Sequence, residues 1–299
     1  MRSVHVLMVV LLLVSGPAVA TAGMFFDVEI RGIYEDNVVG LLSDSTAGNT
    51  TQPGAMNAQA SAVKAAGGMG RGPGPGGGVG AGPGGNPEIG SSTTKNRDTA
   101  IDLFADLGGS TAVTRNMDLF LAGSIERIAY STFTEFSSTT GGLTTGITQR
   151  FGPVFSARLA VSGSVKNYEG SDKDASAYLA GAKLKQRRGD LWLLEGYEYE
   201  KNHAESSFYS YTGRTAKIAL GYLLLERTTV LAGYSYLIRH YNEPADFWER
   251  AWTSWGGLEW EPIDNWFLVL EYDRRKSDTT VPGTSTTDNI ISAGVRYSY

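Results

Sequence analysis

The last nine residues of the chain alternate strictly between two kinds of side chain. The apolar or aromatic residues are Ile291, Ala293, Val295, Tyr297 and Tyr299. The small or polar residues between them are Ser292, Gly294, Arg296 and Ser298. A β-strand turns successive side chains to opposite faces. The alternation therefore predicts a strand with one apolar and one polar face, lying between two different surroundings.

Similar alternation recurs in about twelve segments, which favours an all-β protein. Clear examples are residues 26–34, 101–107, 117–125, 155–165, 216–222 and 230–238. Two segments fit less well. The fourth, with Leu143, Thr145 and Ile147, is only weakly apolar. The seventh, residues 191–200, has a glutamate on either face, which predicts a bulge or a shift of register.

The connections between these segments alternate in length. Short links occur near residues 150–153, 187–190, 226–228 and 262–265, and longer ones near 130–141, 168–174, 202–208, 241–248 and 277–288. Together with the terminal aromatic residue Tyr299, this pattern resembles the Gram-negative outer-membrane β-barrels. The resemblance implies a transmembrane antiparallel up-and-down barrel of about twelve strands over residues 23–299, with both termini periplasmic. It also implies contact with outer-membrane lipid and lipopolysaccharide, and with the barrel-assembly machinery through the C-terminal strand.

Aromatic residues mark the ends of several apolar faces. The expected interface aromatics are Trp252, Trp260, Trp266, Tyr272, Tyr297 and Tyr299. The eight residues from Trp252 to Trp260, tilted by about 40°, rise about 20 Å, which approaches the apolar band of an outer membrane, about 25 Å tall. Aromatic residues at both interfaces are typical of such barrels.

The N-terminal residues 1–22 have the features of a secretory signal peptide. Arg2 gives a positive start, residues 6–14 form an apolar run, and cleavage is expected after Ala20 or Ala22. The apolar run is too short to cross a bilayer of about 30 Å as a helix. A buried first helix is the alternative.

Residues 36–97 separate the first two strands and are rich in glycine and proline. Such a composition buries too little apolar surface to offset the entropy of ordering, so we expect a long disordered extracellular loop. The loop either extends outside or folds into the mouth of the barrel as a constriction.

The polar faces of the strands carry charge. The expected lumen-lining acids are Asp27, Glu29, Asp102, Asp106, Asp118, Glu126, Glu259, Glu271 and Asp273. The expected lumen-lining bases are Arg150, Arg158, Lys166, Lys183, Lys185, Lys217, Arg239 and Arg296. Because the first and last strands of a barrel are neighbours, most acids fall on one wall and most bases face them. Opposed walls of charge resemble the arrangement in general porins and would orient dipolar solutes.

These observations favour a narrow porin-like channel for small hydrophilic, charged solutes in the outer membrane. Since twelve strands lie between the numbers found in filled and in open barrels, a structural or adhesive outer-membrane protein with a closed interior of paired charges is an alternative. Residues 34–38 resemble the first-strand end of barrels that export or assemble surface polymers, which is another alternative. We expect no enzyme, because His203 and His240 lack the His-x-Ser spacing of outer-membrane phospholipases. The absence of cysteine and a net charge of −5 likewise predict no thiolate-bound cofactor and no nucleic-acid partner.

Overall fold

The computed structural model describes residues 23–36, 97–169, 173–242, 247–280 and 286–299. Twelve strands lie in these ranges: β1 Gly23–Glu35, β2 Asp98–Thr114, β3 Met117–Tyr130, β4 Ser138–Phe151, β5 Phe155–Tyr168, β6 Ala175–Arg188, β7 Leu191–Ala204, β8 Tyr211–Leu225, β9 Thr228–Tyr241, β10 Trp248–Ile263, β11 Trp266–Thr279 and β12 Thr286–Ser298. Two 3-10 turns, Thr134–Phe136 and Ser207–Tyr209, lie in loops. The predicted signal peptide and residues 37–96 of the predicted loop fall outside the described residues. Within those ranges, no helix has the length and hydropathy needed to cross a membrane.

The strands form one closed barrel in which each strand pairs with its neighbour in sequence and β1 pairs with β12. The closing pair is antiparallel, with Val28 opposite Tyr297 and Ile30 opposite Val295. Phe26 and Tyr299 exchange two backbone hydrogen bonds of 2.9 and 2.8 Å, which extend the seam by one residue. The predicted all-β barrel of about twelve antiparallel strands is thus confirmed.

The two ends of the barrel differ, and we call them the turn end and the loop end. At the turn end, residues 115–116, 152–154, 189–190, 226–227 and 264–265 connect the strands. The first described residue, Gly23, and the last, Tyr299, also lie here. Gly152, Gly189 and Asn265 have positive φ in these tight turns, which favours glycine and asparagine. The longer connections meet at the loop end, as the sequence predicts.

The outer face of the barrel is apolar. Ile101, Leu103, Leu159, Val161 and Leu270 point outward and leave 46 to 55% of their surface exposed. A soluble protein rarely leaves so continuous an apolar surface in water, whereas a membrane barrel places it against lipid. The alternation in the sequence therefore separates a lipid-facing surface from the barrel interior.

The predicted irregularity in the seventh strand is wrong. β7 pairs with β6 and β8 in unbroken register along its length. Glu195 points outward between Leu193 and Tyr197, and Glu198 points inward, so glutamates occupy both faces of a regular strand. The register shifts occur instead beside tight turns, between Ala112 and Thr114, Leu223 and Leu225, and Trp260 and Ile263. In β4, Leu143 and Ile147 point outward, as expected.

Candidate functional site: the barrel interior

Large inward side chains lie over glycines of the neighbouring strand. Trp192 faces its cross-strand partner Gly221, and Trp255 faces Gly233. A Cβ added at either glycine would lie 2.2 Å from the indole ring. The same relationship joins Phe25 to Gly108 and Phe120 to Gly146. These contacts build two buried apolar clusters: Trp192, Leu194, Ala219, Leu231 and Trp255, and Phe25, Phe120 and Ala122.

One guanidinium holds three carboxylates on the acid-rich side of the interior. Arg31 of β1 lies 3.1 Å from Glu29, 3.1 Å from Asp102 of β2 and 3.6 Å from Glu271 of β11. Beside it, Arg296 of β12 contacts Glu259 of β10 at 3.0 Å. Arg31, Arg296 and the carboxylates of Glu29, Glu259 and Glu271 border a small cavity. Charge-assisted contacts of this kind lock side chains from several strands together.

On the opposite side, two lysines share one carboxylate. Glu198 of β7 lies 2.6 Å from the amine of Lys217 and 3.5 Å from that of Lys183. The three side chains belong to β6, β7 and β8 and are buried. Removing one member of a buried ionic group leaves the others without their counter-charge, which is costly.

A further ionic cluster lies nearer the loop end. Arg239 contacts Glu249 at 3.5 Å and lies over the ring of Tyr211, whose hydroxyl donates a 2.9 Å hydrogen bond to Glu200. Arg239 and Glu249 are 1% and 0% exposed, so water does not reach them along the lumen. This part of the interior is filled.

Arg158 of β5 differs from the other buried bases. Its guanidinium lies 3.6 Å from the centre of the Phe120 ring, and the residue is 2% exposed. Its Nε and Nη2 atoms have no hydrogen-bond partner within the described residues. Buried N–H groups without a partner are costly, and an anion that reached them would satisfy them.

Small side chains surround Arg158 on the inward faces of β4, β5 and β6. They are Gly142, Thr144, Gly146, Ala160, Ser162, Ser164 and Gly181. We call this set the small-residue wall. Ser162 and Ser164 are half-buried although they point inward, which contrasts with the filled interior along β9 and β10. Phe120 packs over Gly146 and Ala160, so the room that this wall leaves lies beside Ser162 and Ser164.

The interior holds most of the charged residues that the sequence singles out. Buried acids from that set are Asp27, Glu29, Asp102, Asp106, Glu126, Glu259, Glu271 and Asp273. Buried bases from that set are Arg158, Lys166, Lys183, Lys217, Arg239 and Arg296. Asp118 and Arg150 form a more exposed ion pair at the turn end, and Lys185 is half-buried over Trp192.

Several interior charges are missing from the sequence-based set. They are Glu35, Asp98, Glu198, Glu200, Glu249, Arg275 and Asp288. On β7 the sequence does carry a signal for these positions. Polar residues alternate there with two tyrosines, Tyr197 and Tyr199, which predicts that the polar residues face inward: Glu198, Glu200 and Asn202. Among the described residues, fourteen acids and seven bases are buried. The total charge of the interior therefore favours cations. A preference for anions would have to come from the positions of the basic residues along the lumen.

The aromatic residues predicted at the interfaces lie on the outer face. Trp260, Trp266, Tyr272 and Tyr299 are exposed there. Trp252 and Tyr297 are half-buried, because Trp252 packs against Tyr236 and Tyr297 packs against Trp266. His203 and His240 are exposed on outward positions near the loop end. Among the described residues, no three or more His, Asp and Glu side chains are arranged to hold a metal ion.

No protein-family model matches the sequence, and neither does any curated protein. Solved structures do match. An outer-membrane channel from Pseudomonas putida F1 is 9% identical, with 93% of this chain and 96% of that chain covered and a TM-score of 0.55. The KdgM porin in complex with disordered oligogalacturonate is 15% identical, with 67% and 99% covered and a TM-score of 0.43. The translocator domain of the autotransporter NalP from Neisseria meningitidis is 10% identical, with 98% and 95% covered and a TM-score of 0.41.

The chain has the fold of the outer-membrane porin-like β-barrels. At these identities the likeness concerns the fold alone, so solute and selectivity have to be argued from the interior.

Proposed function

We propose that this protein is a narrow outer-membrane channel that passes small hydrophilic anions along the small-residue wall. We place the loop end at the exterior and the turn end at the periplasm, because outer-membrane barrels have short periplasmic turns and longer external loops. A twelve-stranded barrel is intermediate between small barrels filled by side chains and large ones with an aqueous channel. Side-chain size therefore decides which part of the interior is open to a solute.

The position of Arg158 within the small-residue wall carries the proposal. Ser162 and Ser164 follow Arg158 on the same face of β5, and both are only half-buried. Lys183 on β6 is the cross-strand partner of Arg158, and Lys166 lies further towards the loop end on the same face of β5. A solute on this path thus meets bases in succession. Such a row stabilises an anion while the hydroxyl groups replace part of its hydration.

The acid-rich wall lies across the barrel from this path. Arg31 and Arg296 contact Glu29, Asp102, Glu271 and Glu259 there, which reduces the repulsion that an anion would experience. The remaining separation of charge favours solutes that carry a dipole as well as a negative group.

Conductance in planar bilayers tests the proposal. The purified barrel should give discrete current steps, and the reversal potential in a KCl gradient should show anion preference. Arg158→Gln should reduce the ratio of chloride to potassium permeability several-fold. The matched control is Arg188→Gln, because Arg188 is exposed on the outer face at the turn end. Unchanged selectivity in Arg158→Gln would contradict the anion path.

A pair of substitutions tests the location of the path. Ser162 points inward from the small-residue wall, and its neighbour Val161 points outward at the same height. Ser162→Phe should lower conductance several-fold, whereas Val161→Phe should leave it unchanged. Equal conductance in both variants would place the path elsewhere.

A closed barrel with a structural role is the second candidate. It is favoured by the complete burial of Arg239 and Glu249 and by the apolar cluster around Trp192 and Trp255. This candidate predicts a folded, membrane-inserted protein that gives no current steps at any voltage the bilayer tolerates.

A further inference from the structure

Five basic residues point outward from four strands in the half of the barrel nearest the loop end. They are Lys201 of β7, Arg214 of β8, Arg250 of β10, and Arg274 and Lys276 of β11. All five are exposed, and we call them the basic stripe. Arg214 and Arg250 pair with the same residue of β9, Ile238, from its two sides. The stripe therefore crosses neighbouring strands as a continuous surface.

Aromatic side chains lie along the stripe. The guanidinium of Arg250 is 4.2 Å from the centre of the Trp248 ring, and the amine of Lys276 is 5.9 Å from that of Trp252. On β10, Arg250 lies on the loop side of Trp252, and on β11, Arg274 and Lys276 lie on the loop side of Tyr272. Lipid headgroups begin at this level, since interfacial aromatic residues mark the edge of the hydrocarbon.

Acidic side chains scarcely neutralise the stripe. Within the described residues, its one ion pair joins Lys276 to Asp278 at 3.9 Å, close to the limit of such contacts. Arg127 on β3 also points outward, but it pairs with Glu169. At comparable positions on β1, β2, β4 and β5 the outward residues Tyr34, Thr99, Thr139 and Asn167 carry no charge. Apart from Arg97, which precedes β2, the exposed cations of the loop end thus lie on β7 to β11.

The geometry points to a headgroup with more than one phosphate. Neighbouring strands are about 4.8 Å apart, so Arg214 and Arg250 stand about 10 Å apart at their Cα atoms. Arg214 and Arg250 can together hold one phosphate, but the whole stripe spans β7 to β11, about 19 Å across the strands. One phosphate cannot contact all of it, whereas two phosphates on a sugar unit extend further along it. The faces of Trp248 and Trp252 offer apolar contact to the rings and chains of such a lipid.

We propose that the basic stripe binds a phosphorylated glycolipid of the outer leaflet through at least two of its phosphates. The proposal rests on the orientation given under Proposed function, in which the loop end faces outward. Each Lys or Arg held near an anionic membrane surface adds to the attraction, so the five cations of the stripe act together on one headgroup.

The test uses the refolded protein in a zwitterionic detergent, titrated with bisphosphorylated lipid A. We expect a saturable rise in the thermal unfolding temperature and, in the double variant Arg214→Gln/Arg250→Gln, at least a tenfold weaker apparent affinity. The matched control is Arg115→Gln/Arg188→Gln, whose arginines lie at the turn end. Circular dichroism and heat-modifiable migration in gels establish that each variant is folded.

Titrations with two other lipids show whether the phosphates of lipid A are required. Dephosphorylated lipid A should give no rise, and phosphatidylglycerol should give a much smaller one at equal phosphate concentration. An equal response to phosphatidylglycerol, an equal response to dephosphorylated lipid A, or unchanged affinity in the Arg214→Gln/Arg250→Gln variant would each overturn the proposal. Lipid binding is measured without current, so loss of channel activity alone leaves this result unaffected.

Discussion

The indole of Trp192 lies flat against Gly221, its direct cross-strand partner on β8. The barrel repeats this relationship at Trp255 and Gly233, and at Phe25 and Gly108. Each glycine supplies the space that the ring of the neighbouring strand occupies. The fit fixes the register of adjacent strands, since a shift by one residue would place the ring against an outward-facing position.

Gly221→Ala should destabilise the barrel because the added Cβ would lie 2.2 Å from the Trp192 ring. We expect a loss of about 1 to 3 kcal/mol in the free energy of unfolding, the usual range for overpacking. Urea unfolding in lipid vesicles, followed by circular dichroism, measures the loss. Gly141→Ala is the control, because a Cβ at Gly141 has no atom within 4 Å. Equal stability of the two variants would contradict this packing.

Glu198→Gln should destabilise the interior because it leaves Lys183 and Lys217 buried without their shared carboxylate. Breaking a buried ionic group costs about 3 to 5 kcal/mol. The addition of Lys217→Gln should recover part of the loss, and this recovery distinguishes lost charge pairing from general damage. Glu195→Gln, three residues away on the lipid side, is the control and should change stability little. The same urea experiment compares the four proteins.

The sequence predicts the face of the barrel on which a residue lies, but it does not predict the contacts between strands. Alternation within one strand assigns each residue to a face, and so it predicts the outward position of Ile101 and the inward position of Arg158. Contacts such as Lys183–Glu198–Lys217 join three strands and depend on their mutual register, which a single strand does not encode. For the same reason, the sequence does not predict that Trp192 packs against Gly221.

The predicted bulge in β7 shows a second limit. That prediction rests on Glu195 and Glu198, which an unbroken strand turns to opposite faces. The strand instead keeps its register and places Glu195 on the outer face, between Leu184 of β6 and Ile218 of β8. A carboxylate costs less than a basic side chain at such a position, so a regular strand tolerates it.

Replacing Glu195 with leucine should therefore stabilise the barrel. Glu195 lies four residues from the start of β7, which corresponds to about 10 Å along the barrel axis and to the middle of the apolar belt. We expect Glu195→Leu to raise the free energy of unfolding in vesicles by about 1 kcal/mol or more. Lys201→Leu, at the outward position nearer the loop end, should not produce that gain. A decrease in Glu195→Leu would show that the carboxylate has a partner outside the barrel.

The six tryptophans give an optical test of the whole architecture, because they divide between the two faces. Trp260 and Trp266 are 46% and 47% exposed on the outer face, whereas Trp192 and Trp255 are 4% and 6% exposed inside. Single-tryptophan proteins, with phenylalanine at the other five positions, would be inserted into vesicles of lipids brominated on their acyl chains. Bromine quenches an indole that it contacts, so we expect strong quenching at Trp260 and Trp266 and little at Trp192 and Trp255. Water-soluble acrylamide should spare the outward pair. Strong bromine quenching at Trp192 would show that the apolar cluster around it faces lipid, and the assignment of inner and outer faces would then have to be reversed along β7.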